Sequence, residues 1–77
     1  MFRYEIVYIV PGRKDHTRIV SRESFLETMR SGPYGIRANR SNRYCQQFEN
    51  AAILGDPSVY AVELPFGTRE MRVWKIS

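Results

Sequence analysis

Residues 2–10 have the sequence FRYEIVYIV, and Pro11 and Gly12 follow them. β-Branched and aromatic side chains fill this stretch, which predicts a β-strand that the proline brings to an end. Apolar side chains occur at both odd and even positions, so both faces of the strand should be covered. We therefore expect it to be a central strand of a sheet.

A helix is predicted next, at residues 22–30. Ser21 fits its N-cap, because Val20 and Phe25 then occupy the two positions of a hydrophobic staple. Gly32–Pro33 should end the helix, since proline cannot continue it.

A second helix is predicted at residues 42–54, with Ser41 or Asn42 as its N-cap and Gly55–Pro57 after its end. Apolar residues recur at the three-to-four spacing of one helix face. These residues are Tyr44, Phe48, Ala51 and Ala52, with Cys45 beside them.

Two further strands are predicted, at residues 58–64 and 70–76, joined through Pro65–Arg69. Residues 17–20 form either another short strand or an extended lead-in to the first helix. The order β-(β)-α-α-β-β predicts an α+β fold, with a small antiparallel sheet of three, possibly four, strands and both helices packed on one face. Whether the first strand lies between the last two or beside them stays open. Trp74 is expected in the core.

The length of 77 residues predicts a single compact domain over residues 1–77. Apolar residues make up 43% and charged residues 26% of the chain, which is typical of a globular protein. A doubly wound nucleotide-binding fold or a (β/α) barrel needs a much longer chain. Neither a signal-peptide pattern nor a membrane-spanning apolar run is present, and the lone Cys45 has no partner for an internal disulfide. We therefore expect a cytoplasmic protein in a reducing compartment.

Catalytic residue types are scarce in this sequence. His16 is the only histidine and Cys45 the only thiol, and Cys45 belongs beside the apolar face of the second predicted helix. No phosphate-binding loop, nucleophile elbow or metal-ligand spacing occurs. We expect a protein that is not an enzyme and uses no metal or other cofactor.

Positive charge is concentrated in one window. Asp and Glu are absent from residues 28–48, a window that contains four arginines, and the whole chain carries net +4. Arginines at the start of a helix oppose the helix dipole, so structure alone would favour acids there. Guanidinium groups beside free backbone N–H groups suit an anion such as phosphate, and a flanking tyrosine could stack on a base. The candidate binding residues are Arg30, Tyr34, Arg37, Arg40 and Arg43, with Tyr44 as an alternative stacking residue.

Two other features of the sequence bear on binding. Phe66 lies on the predicted hairpin tip, where an exposed aromatic beside Arg69 suits contact with a partner. Arg13, Lys14 and Arg18 form a second basic group, which we interpret as part of a solvated loop.

Residues 32–35 form a GxxG sequence between the two predicted helices. This order resembles the KH nucleic-acid-binding domain, in which such a loop clamps the nucleotide backbone. The sequence departs from the KH pattern, because Arg30–Ser31 replace aliphatic residues and six residues separate Gly35 from the second predicted helix. We therefore do not assign the chain to that family.

Two functions fit these patterns. The first is a small binding protein that contacts DNA or RNA electrostatically through the arginine-rich residues 30–43. The alternative is a protein–protein interaction module, an inhibitor or modulator of the kind that small viral accessory proteins provide, whose basic face meets an acidic protein surface. No membrane partner is expected, and an open sheet edge would permit a homodimer.

Overall fold

The computed structural model of the chain describes residues 1–31, 35 and 38–76, and for residues 38–42 the description covers the backbone alone. Four strands form one antiparallel sheet in the order β2-β1-β4-β3, and two helices complete the predicted α+β fold. The elements in chain order are β1 (Phe2–Ile9), β2 (His16–Val20), α1 (Arg22–Arg30), α2 (Ala38–Ile53), β3 (Ser58–Leu64) and β4 (Gly67–Lys75).

β1 is a central strand, as its composition predicts. It pairs with β2 on one side and β4 on the other, so that Tyr4 lies opposite both Val20 and Val73. Four consecutive β1 residues, 4–7, are buried, because strands flank β1 on both edges and the helices cover one of its faces. The open question of its position is therefore settled, because β1 lies beside β4 and not between β3 and β4.

The hydrophobic core lies between the helices and one face of the sheet. Phe25 and Met29 of α1 are fully buried, and the ring of Phe25 lies 5.2 Å from the ring of Tyr4. The other buried members of this core are Ile6, Cys45, Phe48, Ala52, Met71 and Val73.

The limits of α1 match the prediction, because both ends are capped by serine. The Ser24 N–H donates to Ser21 Oγ over 3.1 Å at the first turn. At the other end, Ser31 donates from its N–H and from its Oγ to the carbonyl oxygen of Glu27, over 3.0 and 2.7 Å. The predicted stop at Gly32–Pro33 lies outside the described residues.

α2 begins at Ala38, four residues before the predicted start at Asn42. Ser41 and Asn42 therefore lie within the helix, where each costs at most about 0.7 kcal/mol relative to alanine. That cost is small beside the packing of the helix, so the preference of these residues for caps does not decide the boundary. The end agrees with the sequence, because Gly55 has φ +92° and donates its N–H to the Ala52 carbonyl over 2.9 Å.

The hairpin between β3 and β4 is tighter than predicted. Leu64 lies opposite Gly67, so only Pro65–Phe66 form the turn and β4 begins three residues before the predicted start at residue 70. Gly67 lies within β4, at a point where the backbone of β1 approaches too closely to leave room for a side chain. A Cβ atom on Gly67 would lie 2.1 Å from the carbonyl oxygen of Ile9. The glycine marks this close approach and not a longer loop.

Trp74 lies on the sheet face opposite the helices, so the prediction of a core position is wrong. Met71 and Val73 face the helices, and strand alternation then directs Trp74 to the other face. Its indole Nε1–H donates to a carboxylate oxygen of Glu5 over 2.8 Å, and the Arg3 guanidinium lies 5.7 Å from the ring centroid.

Candidate functional site

Both hairpin connections lie at one end of the sheet, which we call the hairpin end. The last residues of β1 pair with the first residues of β2, with Tyr8 opposite His16. The last residues of β3 likewise pair with the first residues of β4, and Ile9 of β1 lies opposite Thr68 at the same end of the sheet. The connections 10–15 and 65–66 are therefore neighbours at this end of the molecule.

Both helices are joined to the end of the sheet away from the hairpins. α1 starts directly after β2, whose last residue lies opposite Tyr4 near that end of the sheet. α2 leads into β3, which also starts at that end, and Glu49 of α2 contacts both Tyr4 and Arg22 there. The carboxyl end of α1 and the amino end of α2 are the helix ends remote from this contact.

Positive charge is concentrated in two segments that are separate in the sequence. Residues 13–18 and 30–43 contain seven of the twelve Lys and Arg residues and a single acid, so they carry net +6. The rest of the chain contains five cations and seven acids, and carries net −2. We call six cations of these two segments the basic end, and its members are Arg13, Lys14, Arg18, Arg30, Arg40 and Arg43.

Most of the predicted arginines lie at the carboxyl end of α1 or the amino end of α2. Arg30 is exposed as the last residue of α1, and Arg43 is exposed in the second turn of α2. Because α2 starts early, Arg40 belongs to its first turn, and only the backbone of Arg40 is described. Tyr34 and Arg37 lie outside the described residues.

Phe66 and Arg69 do not form one surface. Phe66 is 60% exposed in the hairpin turn, as predicted. Arg69 is only 7% exposed and lies within β4 opposite Tyr8, so the prediction that it belongs to the loop is wrong. The early start of β4 is the reason, because it turns Arg69 into a strand residue on the helix-facing side.

Tyr44 is a packing residue and not an exposed stacking platform. Its ring centroid lies 6.5 Å from that of Phe48 and 5.6 Å from that of Tyr60. Tyr44 is therefore part of the contact between α2 and β3, and stacking on a base would require it to leave that contact.

A polar cluster lies within the helix–sheet contact away from the hairpin end. Glu49 accepts a hydrogen bond from the Tyr4 hydroxyl and pairs with Arg22, whose Nε lies 3.1 Å from a carboxylate oxygen. Glu49 is thus engaged by Arg22 and not by an arginine of the basic end. Burial, reinforced by Glu49, raises the pKa of the Tyr4 hydroxyl, and burial raises the pKa of the fully buried Cys45 thiol against the opposing effect of Arg22.

The raised pKa values of Tyr4 and Cys45 predict a loss of stability in alkali. Both groups are neutral when protonated, so the folded chain retains protons that the unfolded chain releases. The stabilisation should be complete below about pH 8.5, and the free energy of unfolding should fall by about 1.4 kcal/mol per pH unit for each group as the pH exceeds its unfolded pKa. Urea titrations between pH 7 and 11 measure this slope. Tyr4→Phe should make it shallower above pH 10, and an unchanged slope would contradict the assignment.

His16 and Cys45 do not come together. His16 is exposed on β2 opposite Tyr8, whereas Cys45 is buried beside Tyr4. Tyr4 and Tyr8 are four strand residues apart, or about 13 Å along β1. Among the described residues, no group of three His, Cys, Asp or Glu side chains is placed to hold a metal ion.

The sheet face opposite the helices engages its cations internally. Arg3 Nε lies 3.2 Å from a carboxylate oxygen of Glu5, and Arg72 donates from its Nε to Glu70 over 2.9 Å. Trp74 also contacts Arg3 and Glu5, so these side chains already have contacts within the protein. This face is thus a mixed-charge layer, in contrast to the basic end.

Sequence reasoning did not include residues 13–18 among the candidate binding residues. Arg13, Lys14 and Arg18 are all exposed, which agrees with their interpretation as a solvated group. The structure places Arg13 and Lys14 in the connection at the hairpin end and Arg18 within β2. The turn signal at residues 11–12 was the available clue to the position of this connection.

In the described ranges, no helix is long and apolar enough to cross a membrane. No protein-family model, curated protein sequence or solved structure matches the chain. The case for a function therefore rests on the chemistry and placement of the residues themselves.

Proposed function

We propose that the protein binds DNA or RNA through the basic end, with phosphate contacts as the main source of affinity. The observation that carries this proposal is the separation of charge, with net +6 on segments 13–18 and 30–43 and net −2 on the rest. A polyanion gains from concentrated positive charge, and the remainder of the chain, at net −2, does not attract it.

The chemistry of the cations favours phosphate as the ligand. Six of the seven cations in these segments are arginines, whose planar guanidinium binds phosphate oxygens in pairs. The first turn of α2 contains no acid, so its backbone N–H groups add to the positive potential. Contacts of this kind depend little on base sequence, and we expect binding to be sequence-tolerant.

Salt titration of binding tests the proposal directly. Fluorescence anisotropy with labelled single- and double-stranded DNA and RNA should show log K falling linearly with log salt concentration. Four to six phosphate contacts predict a slope of about −3 to −5, at about 0.9 per contact on a duplex and 0.7 on a single strand. Binding to none of these polymers at about 50 mM salt would contradict the proposal.

The alternative function, binding to a protein, predicts a different result in an affinity experiment with nuclease treatment. If the basic end meets an acidic protein surface, an affinity column carrying this chain should retain one defined protein, and nuclease treatment should not release it. Material that is retained through nucleic acid should be lost after nuclease treatment.

A further inference from the structure

The two edges of the sheet differ in how they are protected against pairing with another strand. β2 has five residues, includes His16 and Arg18, and follows the cations Arg13 and Lys14. Charged residues and short length are the usual protection of an edge strand. β3 has seven residues, and its first five, 58–62, carry no charge. In the described part of the chain, β3 pairs on one side only.

Exposed apolar side chains flank both ends of β3. Ile53 and Leu54 precede it and are 57% and 82% exposed, and Phe66 follows it with 60% exposed. Val59 within the strand is also exposed. An isolated exposed apolar residue needs no explanation, but these four lie within one unprotected edge strand or within five residues of it.

We propose that β3 pairs antiparallel with β3 of a second copy, about a two-fold axis at Ala61, to form a continuous eight-stranded sheet. In this register Ala61 faces its own counterpart, Tyr60 lies opposite Val62, and Ser58 lies opposite Leu64. Odd-numbered residues lie opposite odd-numbered residues and even opposite even, so side chains of the same sheet face meet. The helices of both copies therefore remain on the same side of the continuous sheet.

The same register brings the flanking apolar residues together. Because Leu64 lies opposite Ser58 of the second copy, the turn residue Phe66 lies beside the short segment that joins Leu54 to β3 of that copy. The two-fold axis makes this contact twice. A second copy is therefore the occupant that covers both ends of the edge with residues already present in the chain.

Charge also favours β3 over β2 as the dimer edge. Centring the same arrangement on β2 would place Arg18 directly opposite Arg18 of the second copy, which is repulsive. On β3, Glu63 lies opposite Val59 of the second copy. Val59 is uncharged, so this register places no like charges opposite each other on β3.

Substitutions at Ala61 test the proposal, because this residue is exposed within each copy and lies on the proposed axis. Sedimentation velocity at about 0.5 M salt after nuclease treatment should show wild-type chain moving from monomer to dimer between about 10 and 500 µM. Ala61→Lys and Ala61→Glu should each weaken dimerisation at least about tenfold, since like charges meet on the axis. An equimolar mixture of the two variants should regain the dimer.

Thr17→Lys is the matched control, because Thr17 is exposed on the other edge strand. It should dimerise like the wild type, and circular dichroism should show all variants folded. Phe66→Ser leaves the strands unchanged and should weaken dimerisation about five- to tenfold. A wild-type chain that is monomeric at about 500 µM, an Ala61→Lys variant that dimerises normally, or loss of the dimer in Thr17→Lys would each overturn the proposal. High salt weakens phosphate contacts, so the measured dimerisation does not depend on nucleic-acid binding.

Discussion

Replacing Arg40 and Arg43 together by alanine is expected to weaken nucleic-acid binding about ten- to a hundredfold at low salt, or about 0.7–1.4 kcal/mol for each arginine. The slope of log K against log salt should become shallower by about 1.8 on a duplex, because two phosphate contacts are lost. Fluorescence anisotropy across a salt series measures both quantities.

The same variant should be at least as stable as the wild type. Both residues lie in α2, where alanine is the best helix former, and Arg40 is in the first turn, where a cation opposes the helix dipole. Loss of binding without loss of stability separates a contact role from a folding role. If affinity and salt slope stay unchanged, the basic end is not the binding surface.

Charge-matched controls sharpen this result. Arg3→Ala with Lys75→Ala also removes two positive charges, but Arg3 and Lys75 lie on strands at the end of the sheet away from the hairpins. We expect this pair to change affinity less than about threefold. Arg13→Ala with Lys14→Ala, by contrast, should flatten the salt slope, because these residues belong to the basic end although they are distant in sequence.

Phe25→Ala should lower the free energy of unfolding by about 3–5 kcal/mol. The ring is fully buried between α1 and the sheet and contacts Tyr4, so its loss leaves a cavity and removes an aromatic pair. A domain of this length has a total stability of about 4–12 kcal/mol, so the variant should be partly or wholly unfolded near physiological temperature. Thermal unfolding should show a midpoint lower by at least about 15 °C.

Phe66→Ala is the matched control for Phe25→Ala. The same atoms are removed, but Phe66 is 60% exposed in the hairpin turn. At about 1 µM, where the proposed dimer is dissociated, its stability should change by less than about 0.5 kcal/mol. Equal effects at the two positions would contradict the described burial of Phe25.

Local chemistry predicted the helices and strands because each signal acts within a few residues. Ser21 Oγ accepts the Ser24 N–H in the first turn of α1, and that helix has the predicted bounds. The apolar spacing of residues 44–52 likewise identified the buried face of α2. Two boundaries were predicted wrongly because a local preference competed with packing. α2 starts before the residues that favour a cap, and the hydrogen-bonded pairing of β3 with β4 extends to Gly67, beyond the limit that the turn residues suggest.

From the sequence alone follow the α+β class, the order of elements, the arginine-rich segment 30–43 and the exposed aromatic at Phe66. Only the tertiary structure decided that β1 lies beside β4, that Arg69 is buried, and that both hairpin connections lie at one end of the sheet. The physical reason is the separation along the sequence over which each effect acts. Propensity, capping and periodicity act between residues a few positions apart, whereas strand order and side-chain burial depend on pairing between residues up to about seventy positions apart.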